Sequence, residues 1–333
     1  MRKTYIDILK GISILAIMLL HFENGIFLSA VNAWIGGFMV NAFFFVSGWL
    51  QADHPIELDK TYFQRRWKSL GIPYLAFTLL ILVFDLLMAL LGEMPLYIFC
   101  RDAYKALVLR GIGTLWFIPA LWGGEILFAC FRKWKLTGKI AILFLTLIVL
   151  QGYAWWALRF AHNDGVLWRI WDAPFYALNC CFGAWIIIAG GFYLARFCEK
   201  HIFEASLPQK IISAFLLLGW YTLCVNFDFN ANFFWMTGIV SSFGLLIFCM
   251  VLETLPVMKF FSFWGRNSLI LMATHFSIVQ ELCILINRHC FGGKELLGWR
   301  ALAFFGIALF LEYPLVWFFN RVCPFMLGKS KQV

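Results

Sequence analysis

Charge is what this sequence lacks: only 14% of its 333 residues are Asp, Glu, Lys or Arg, against about a quarter in a soluble domain. A water-soluble globular fold is thereby excluded. There is no Gly-rich phosphate loop, no Gly-x-Ser-x-Gly elbow and no His-Glu-x-x-His helix, so nucleotide hydrolysis at a P-loop, α/β-hydrolase chemistry and zincin chemistry have no support. Cysteines are present without paired spacing. Cys100, Cys130, Cys180, Cys181, Cys198, Cys224, Cys249, Cys283, Cys290 and Cys323 read as free, mostly buried thiols, with a Cys100–Cys290 disulfide conceivable because both fall in segments assigned to one side. Of the histidines, His54, His162, His201 and His289 read as solvated loop residues. Only His21 and His275 lie in or at the edge of apolar runs, so no zinc or iron site is expected. Pro/Gly/Ser-rich linkers, internal repeats and a cleavable signal are also missing, which points to one domain over 1–333 with no separate soluble part.

What is present in abundance is apolar surface: 62% hydrophobic and 19% aromatic residues, with a mean hydropathy of +0.82. Ten runs near 20 residues each are long enough to cross a hydrocarbon core of about 30 Å as helices. They cover roughly 5–23, 34–52, 71–91, 112–131, 139–158, 173–194, 211–226, 233–252, 267–287 and 299–321. The expected fold is an all-α membrane protein, a single bundle of about ten transmembrane helices. With the amino terminus placed in the cytoplasm, eighteen Lys and Arg fall in inner segments, eight in outer segments, and Lys10 within the membrane. This positive-inside bias predicts both termini cytoplasmic, as an even helix number requires. It also gives the net charge of +9 a membrane explanation, so no nucleic-acid partner is expected; membrane lipids are the expected surroundings, and the oligomeric state stays open. Between the third and fourth runs, Pro95–Gly111 mixes apolar residues with Arg101, Asp102, Lys105 and Arg110, predicting an amphipathic surface helix.

Ionisable groups inside such runs are costly and are functional candidates by default. Lys10 and His21 share the first run eleven residues apart, which on a helix sets them on nearly one face, about 16 Å apart along the axis. Asp7 falls on the same stripe. The rival readings are a satisfied buried imidazole for His21 and an interfacial snorkel for Lys10. Ser47 and Gly48 lie in an aromatic stretch where small residues permit close helix contact, and packing is the simpler reading of Ser47. Arg65, Arg66 and Lys68 crowd the lead-in to the third run, as a phosphate clamp or as ordinary positive-inside retention. Pro119 is expected to kink the fourth run and free a carbonyl. Glu125 and Asp85 are membrane acids that either bind something or pair with a neighbouring base. Asn267 or Ser268 is a candidate cap for the ninth helix, with His275 on the face of Ser268 and serving packing or helix bridging as readily as catalysis.

Lys10-x10-His21, Phe43-Phe-Phe-Val-Ser-Gly48, Arg65-Arg-Trp-Lys68 leading to Pro73-Tyr74, and Trp264-Gly-Arg-Asn-Ser-Leu followed by His275 together resemble the acyltransferase 3 family of bacterial integral-membrane acyltransferases. Tyr5-Ile-Asp-Ile-Leu-Lys-Gly-Ile and Leu115-Trp-Phe-Ile-Pro look most like its fucose 4-O-acetylase-like branch. The resemblance implies a multi-pass protein of the bacterial cytoplasmic membrane. Its reaction would move an acyl group, usually acetyl from acetyl-CoA as co-substrate, to a hydroxyl of a cell-surface or lipid-linked glycan, without metal. It also implies His21 as the essential residue with Lys10 as its basic companion. Where the family often has Arg-x-x-Arg, this chain has Arg65-x-x-Lys68 with an additional Arg66, leaving open which cation meets the donor phosphates. No SGNH-type domain follows, so the bundle is expected both to accept and to deliver the acyl group. In this reading His21 is the general base or a transient acyl carrier, Lys10 steadies donor charge or Asp7, and Arg65, Arg66 and Lys68 hold the CoA phosphates. The alternative is a transporter or flippase for a lipid-linked sugar that uses the same polar stripe as a pathway.

Overall fold

A computed structural model describes residues 3–160, 166–226 and 234–329. His162, named above, lies outside the described residues, as do Arg2 and Lys331 among the counted inner cations. Among the described residues, ten helical stretches are long and apolar enough to span a membrane, one for each apolar run. They are Thr4–Phe22, Ser29–Gln51, Lys60–Leu90, Gly113–Lys133, Leu136–Phe160, Arg169–Glu204, Leu207–Asn226, Trp235–Leu252, Ser268–Cys290 and Trp299–Arg321, hereafter the first to tenth spans. All the described regular structure is helical. The surface helix forms as Leu96–Leu107.

The chain divides into two compact units, one of Met1–Pro55 and Ile187–Trp317, the other of Ile56–Ile186 and Phe318–Val333. In the first unit, the first span lies along a short helix, Met258–Arg266, that leads almost directly into the ninth span. Two glycines set this approach. A Cβ on Gly11 would stand 1.8 Å from the Phe261 carbonyl oxygen, and one on Gly265 would stand 1.7 Å from the Asp7 carbonyl oxygen. In a bilayer, where lipid competes with side chains for apolar contact, such backbone-to-backbone fits are what hold helices together. The close contact expected at Gly48 is also there, against Ile188, where a Cβ would meet the carbonyl oxygen at 1.9 Å. At the amino end of this unit Lys3 pairs with Glu199 and with Asp53, the latter at 3.2 Å. Burial works against its ammonium, but the hydrogen bond it donates to Glu199 and the neighbouring acids outweigh this and the Lys3 pKa is raised.

In the second unit, Asp59 opens the third span by accepting the Tyr62 N–H at 2.7 Å, an N-cap in the usual sense. The basic segment is therefore helical rather than a lead-in: Arg65 and Arg66 end a first helix, and Lys68 sits in a π-helical turn, Trp67–Gly71. Trp185 Nε1 donates to Thr146 Oγ1 at 3.0 Å, which joins the fifth and sixth spans by a polar bond inside apolar surroundings. The surface helix is tied to the third span by Tyr74, whose hydroxyl donates to the Ala106 carbonyl at 2.9 Å. On that helix Asp102 is buried and takes Arg101 at 2.8 Å and Lys105 at 3.4 Å.

Several expectations change. Pro119 does not kink a helix midway: it occupies the first turn of Phe117–Lys133, after a 3-10 turn, where its missing N–H has no helical acceptor to lose. Trp264 to Arg266 close a short helix, Met258–Arg266, just ahead of the ninth span. Asn267 makes no side-chain cap there; its Nδ2 donates back to the Phe263 carbonyl at 2.8 Å, because the two helices run on with scarcely a break. His201 and His289 belong to helix ends instead of loops, although both are exposed like His54. All ten cysteines are free, Cys100 and Cys290 as exposed thiols, so the conceivable disulfide is not formed.

Candidate functional site

His21 occupies the last turn of the first span. Gly265 faces Asp7 and Gly11, and ten residues onward along each helix His275 faces His21, so the two segments run parallel and in step. The imidazoles stand 5.3 Å apart, centroid to centroid, tilted by 42°. Phe276 packs on His21 at 4.6 Å, and Gln280 Nε2 donates to the His21 backbone carbonyl at 2.8 Å. Sequence alone did not bring His21 and His275 together, since which helices lie side by side is not a local property of the chain.

From His275 to Gln280 the ninth span is π-helical. A π turn carries one extra residue, swings the following side chains out of α register and is frequent at functional sites. His275 is fully buried, and its Nδ1 meets the Leu271 carbonyl. A carbonyl only accepts, so that nitrogen holds the proton and Nε2 of the neutral ring is a bare lone pair. Among the described residues, no hydrogen-bond partner reaches this buried Nε2. An unsatisfied buried acceptor costs about 1–3 kcal/mol, and a site that receives a proton or a hydroxyl is where such a cost is expected.

Just before it, Thr274 Oγ1 lies 2.9 Å from both carboxylate oxygens of Glu312, a fully buried residue of the tenth span. Glu312 was missed in the sequence, although it is the only charged side chain between Ala301 and Asn320, the kind of signal that marked Lys10. Lys10 is half-buried and Asp7 buried on the first span, and Ser47 accepts from Gln51 Nε2 at 3.1 Å in the second.

The second unit holds the other candidates. Glu125 is fully buried, ion-paired with Arg66 at 2.6 Å and accepting from the Tyr62 hydroxyl at 3.2 Å. It is thus an acid paired with a neighbouring base. Arg65 is exposed. Lys68 lines an open cavity of about 600 Å³ together with Lys60, Phe63, Gln64, Trp67 and Trp122. Two ammonium groups, an amide and two indoles are complementary to a phosphorylated, ring-bearing molecule. Lys60, Trp67 and Trp122 were not read from the sequence as binding residues: Lys60 passes there for a boundary cation, and the two indoles for ordinary membrane aromatics.

A bundle of ten candidate spans with paired imidazoles in one unit and a cationic, aromatic cavity in the other describes a multi-pass membrane enzyme more readily than a structural scaffold. Compared with known protein families, residues 3–321 match the acyltransferase domain family Acyl_transf_3. The chain belongs to this family, the acyltransferase 3 family, and is a membrane acyltransferase. No curated protein and no solved structure matches it.

Proposed function

We propose that this acyltransferase moves acetyl from acetyl-CoA to a hydroxyl of a cell-surface or lipid-linked glycan, in the cytoplasmic membrane of a bacterium, in the manner of the fucose 4-O-acetylase-like branch. The observation that carries the reading is the His21–His275 contact, two imidazoles side by side at a π turn inside an acyltransferase. His21 is the general base. Its free nitrogen takes the proton as the sugar oxygen attacks the thioester carbon; the new C–O bond forms, the C–S bond breaks, and the proton passes to the departing CoA sulfur. His275, its Nδ1 tied to Leu271, holds its ring against that of His21 and keeps a second lone pair at hand. Lys10 and Asp7, lower on the same span, steady charge on the donor side.

The donor's phosphates and adenine suit the cavity of Lys60, Lys68, Gln64, Trp67 and Trp122. Lys68 rather than Arg66 is the cation for this work, because Arg66 is committed to Glu125; Arg65 adds charge from the exposed surface. The test uses purified protein in liposomes with labelled acetyl-CoA and a lipid-linked sugar. Wild type releases CoA and labels the sugar; His21→Ala lowers the turnover by roughly 10²–10⁴-fold, the contribution of a positioned base. Lys60→Ala with Lys68→Ala raises KM for acetyl-CoA instead. Absence of both CoA release and CoA binding in wild type would replace this reading by transport of the lipid-linked sugar.

A further inference from the structure

Glu312 is a fully buried carboxyl in the middle of an apolar span, and among the described residues its hydrogen-bonding partner is a neutral hydroxyl, that of Thr274. Burying an acid against an uncharged donor is expensive, and a purely packing role is served better by leucine at no such cost. The location of the contact supplies a reason. Thr274 is the last residue of the α-helical stretch Ser268–Thr274, and its backbone departs from helical values, with φ of −108°, where the π turn begins at His275. The same hydroxyl lies 2.8 Å from the Ile270 carbonyl. Glu312 therefore grips, from another span, the residue at which the ninth span widens.

We infer that Glu312 is a positioning residue for the His21–His275 pair: by holding Thr274 it keeps the π turn open and so sets the direction in which His275 presents its ring to His21. The inference rests on the acyl-transfer reading for its kinetic consequence, and on geometry alone for its structural one. A π turn is less favourable than α-helix and needs something outside the helix to maintain it. Closing it to α form would rotate the residues beyond it by about 100° relative to the first span. Gln280, whose amide reaches the His21 carbonyl from the far end of the π turn, would lose that bond together with the ring contact.

Four variants test this in liposomes, with CoA release as the kinetic measurement and side-chain nitrogen NMR of ¹⁵N-histidine-labelled protein as the structural one. Glu312→Leu and Thr274→Val are expected to lower kcat on the order of 10²-fold, as for an active group displaced by about 1 Å, with KM for acetyl-CoA unchanged. The histidine signals of the two rings shift in both. Glu312→Gln and Thr274→Ser, which keep the hydrogen bond, restore most of kcat and the wild-type signals, and the Glu312→Leu/Thr274→Val double variant is no worse than either single one. Unchanged histidine signals in Glu312→Leu and Thr274→Val overturn the inference, whatever the activity. So does a Glu312→Gln enzyme as impaired as Glu312→Leu, since the carboxyl would then act through its charge or proton and not as an anchor. Wild-type protein that releases no CoA defeats the acyl-transfer reading instead, and leaves the NMR comparison to decide the role of Glu312.

Discussion

Arg66 and Lys68 stand two residues apart, and their surroundings give them different tasks. Arg66 neutralises Glu125, which is fully buried in the second unit. Removing one partner of such a pair is far more harmful than removing both. Arg66→Met is accordingly expected to destabilise the protein by about 3 kcal/mol, and Arg66→Met with Glu125→Leu to recover most of it, as read from thermal unfolding in detergent. Lys68→Ala, by contrast, leaves unfolding unchanged and weakens binding of CoA. At the other unit's loop, Glu23 receives the backbone N–H groups of Phe27 and Ile26 at 3.1 and 3.0 Å, and these hold its carboxyl below the ordinary carboxylate range. A depressed acid gives its ordering in full above the unfolded value and loses it as pH falls through the folded one. Amide exchange at Ile26 and Phe27, corrected for intrinsic rates, should accelerate on acidification below that range in wild type and be fast at every pH in Glu23→Ala.

At the scale of elements, the pairing of the first span with Met258–Arg266 decides the site. Gly11 and Gly265 leave room for backbone to meet backbone, and everything ten residues further along inherits that register. Gly265→Ala places a methyl 1.7 Å from the Asp7 carbonyl oxygen, so the two helices must part. The expected cost is about 1–3 kcal/mol of overpacking. Turnover falls along with thermal stability, because the imidazoles separate when the register opens. Gly152→Ala is the control: a Cβ there meets nothing within 4 Å, and both measurements should hold at wild-type values. The π turns at Trp67–Gly71 and His275–Gln280 belong to this scale too, one bearing Lys68 and one beginning with His275.

For the whole molecule, the reading that both termini face the cytoplasm follows from the distribution of Lys and Arg around the ten candidate spans of the described residues, and it is open to a direct test. Cys100 and Cys290 are exposed thiols in segments assigned to the opposite side. In variants that retain one cysteine each, both should react with a membrane-impermeant maleimide added to intact cells. Cys323, beside the carboxyl-terminal end of the tenth span, should react only after the membrane is opened.

The ten apolar runs and the surface helix were legible along the chain, because hydropathy over some 20 residues is a local quantity, as is a lone charge in an apolar run. Glu312 offered the same local signal as Lys10, but its partner Thr274 is 38 residues away and marks nothing by itself. The sequence by itself determined that this protein carries ten apolar runs long enough to cross a membrane and belongs to the acyltransferases, since both follow from composition and motif along one line of residues. Only the tertiary structure decided that His275 stands beside His21, that Arg66 belongs to Glu125, and that Glu312 grips the start of a π turn. Those are matters of which helix faces lie together, and that is settled by glycine contacts and polar bonds between segments far apart in the chain, as Gly265 is 258 residues from Asp7.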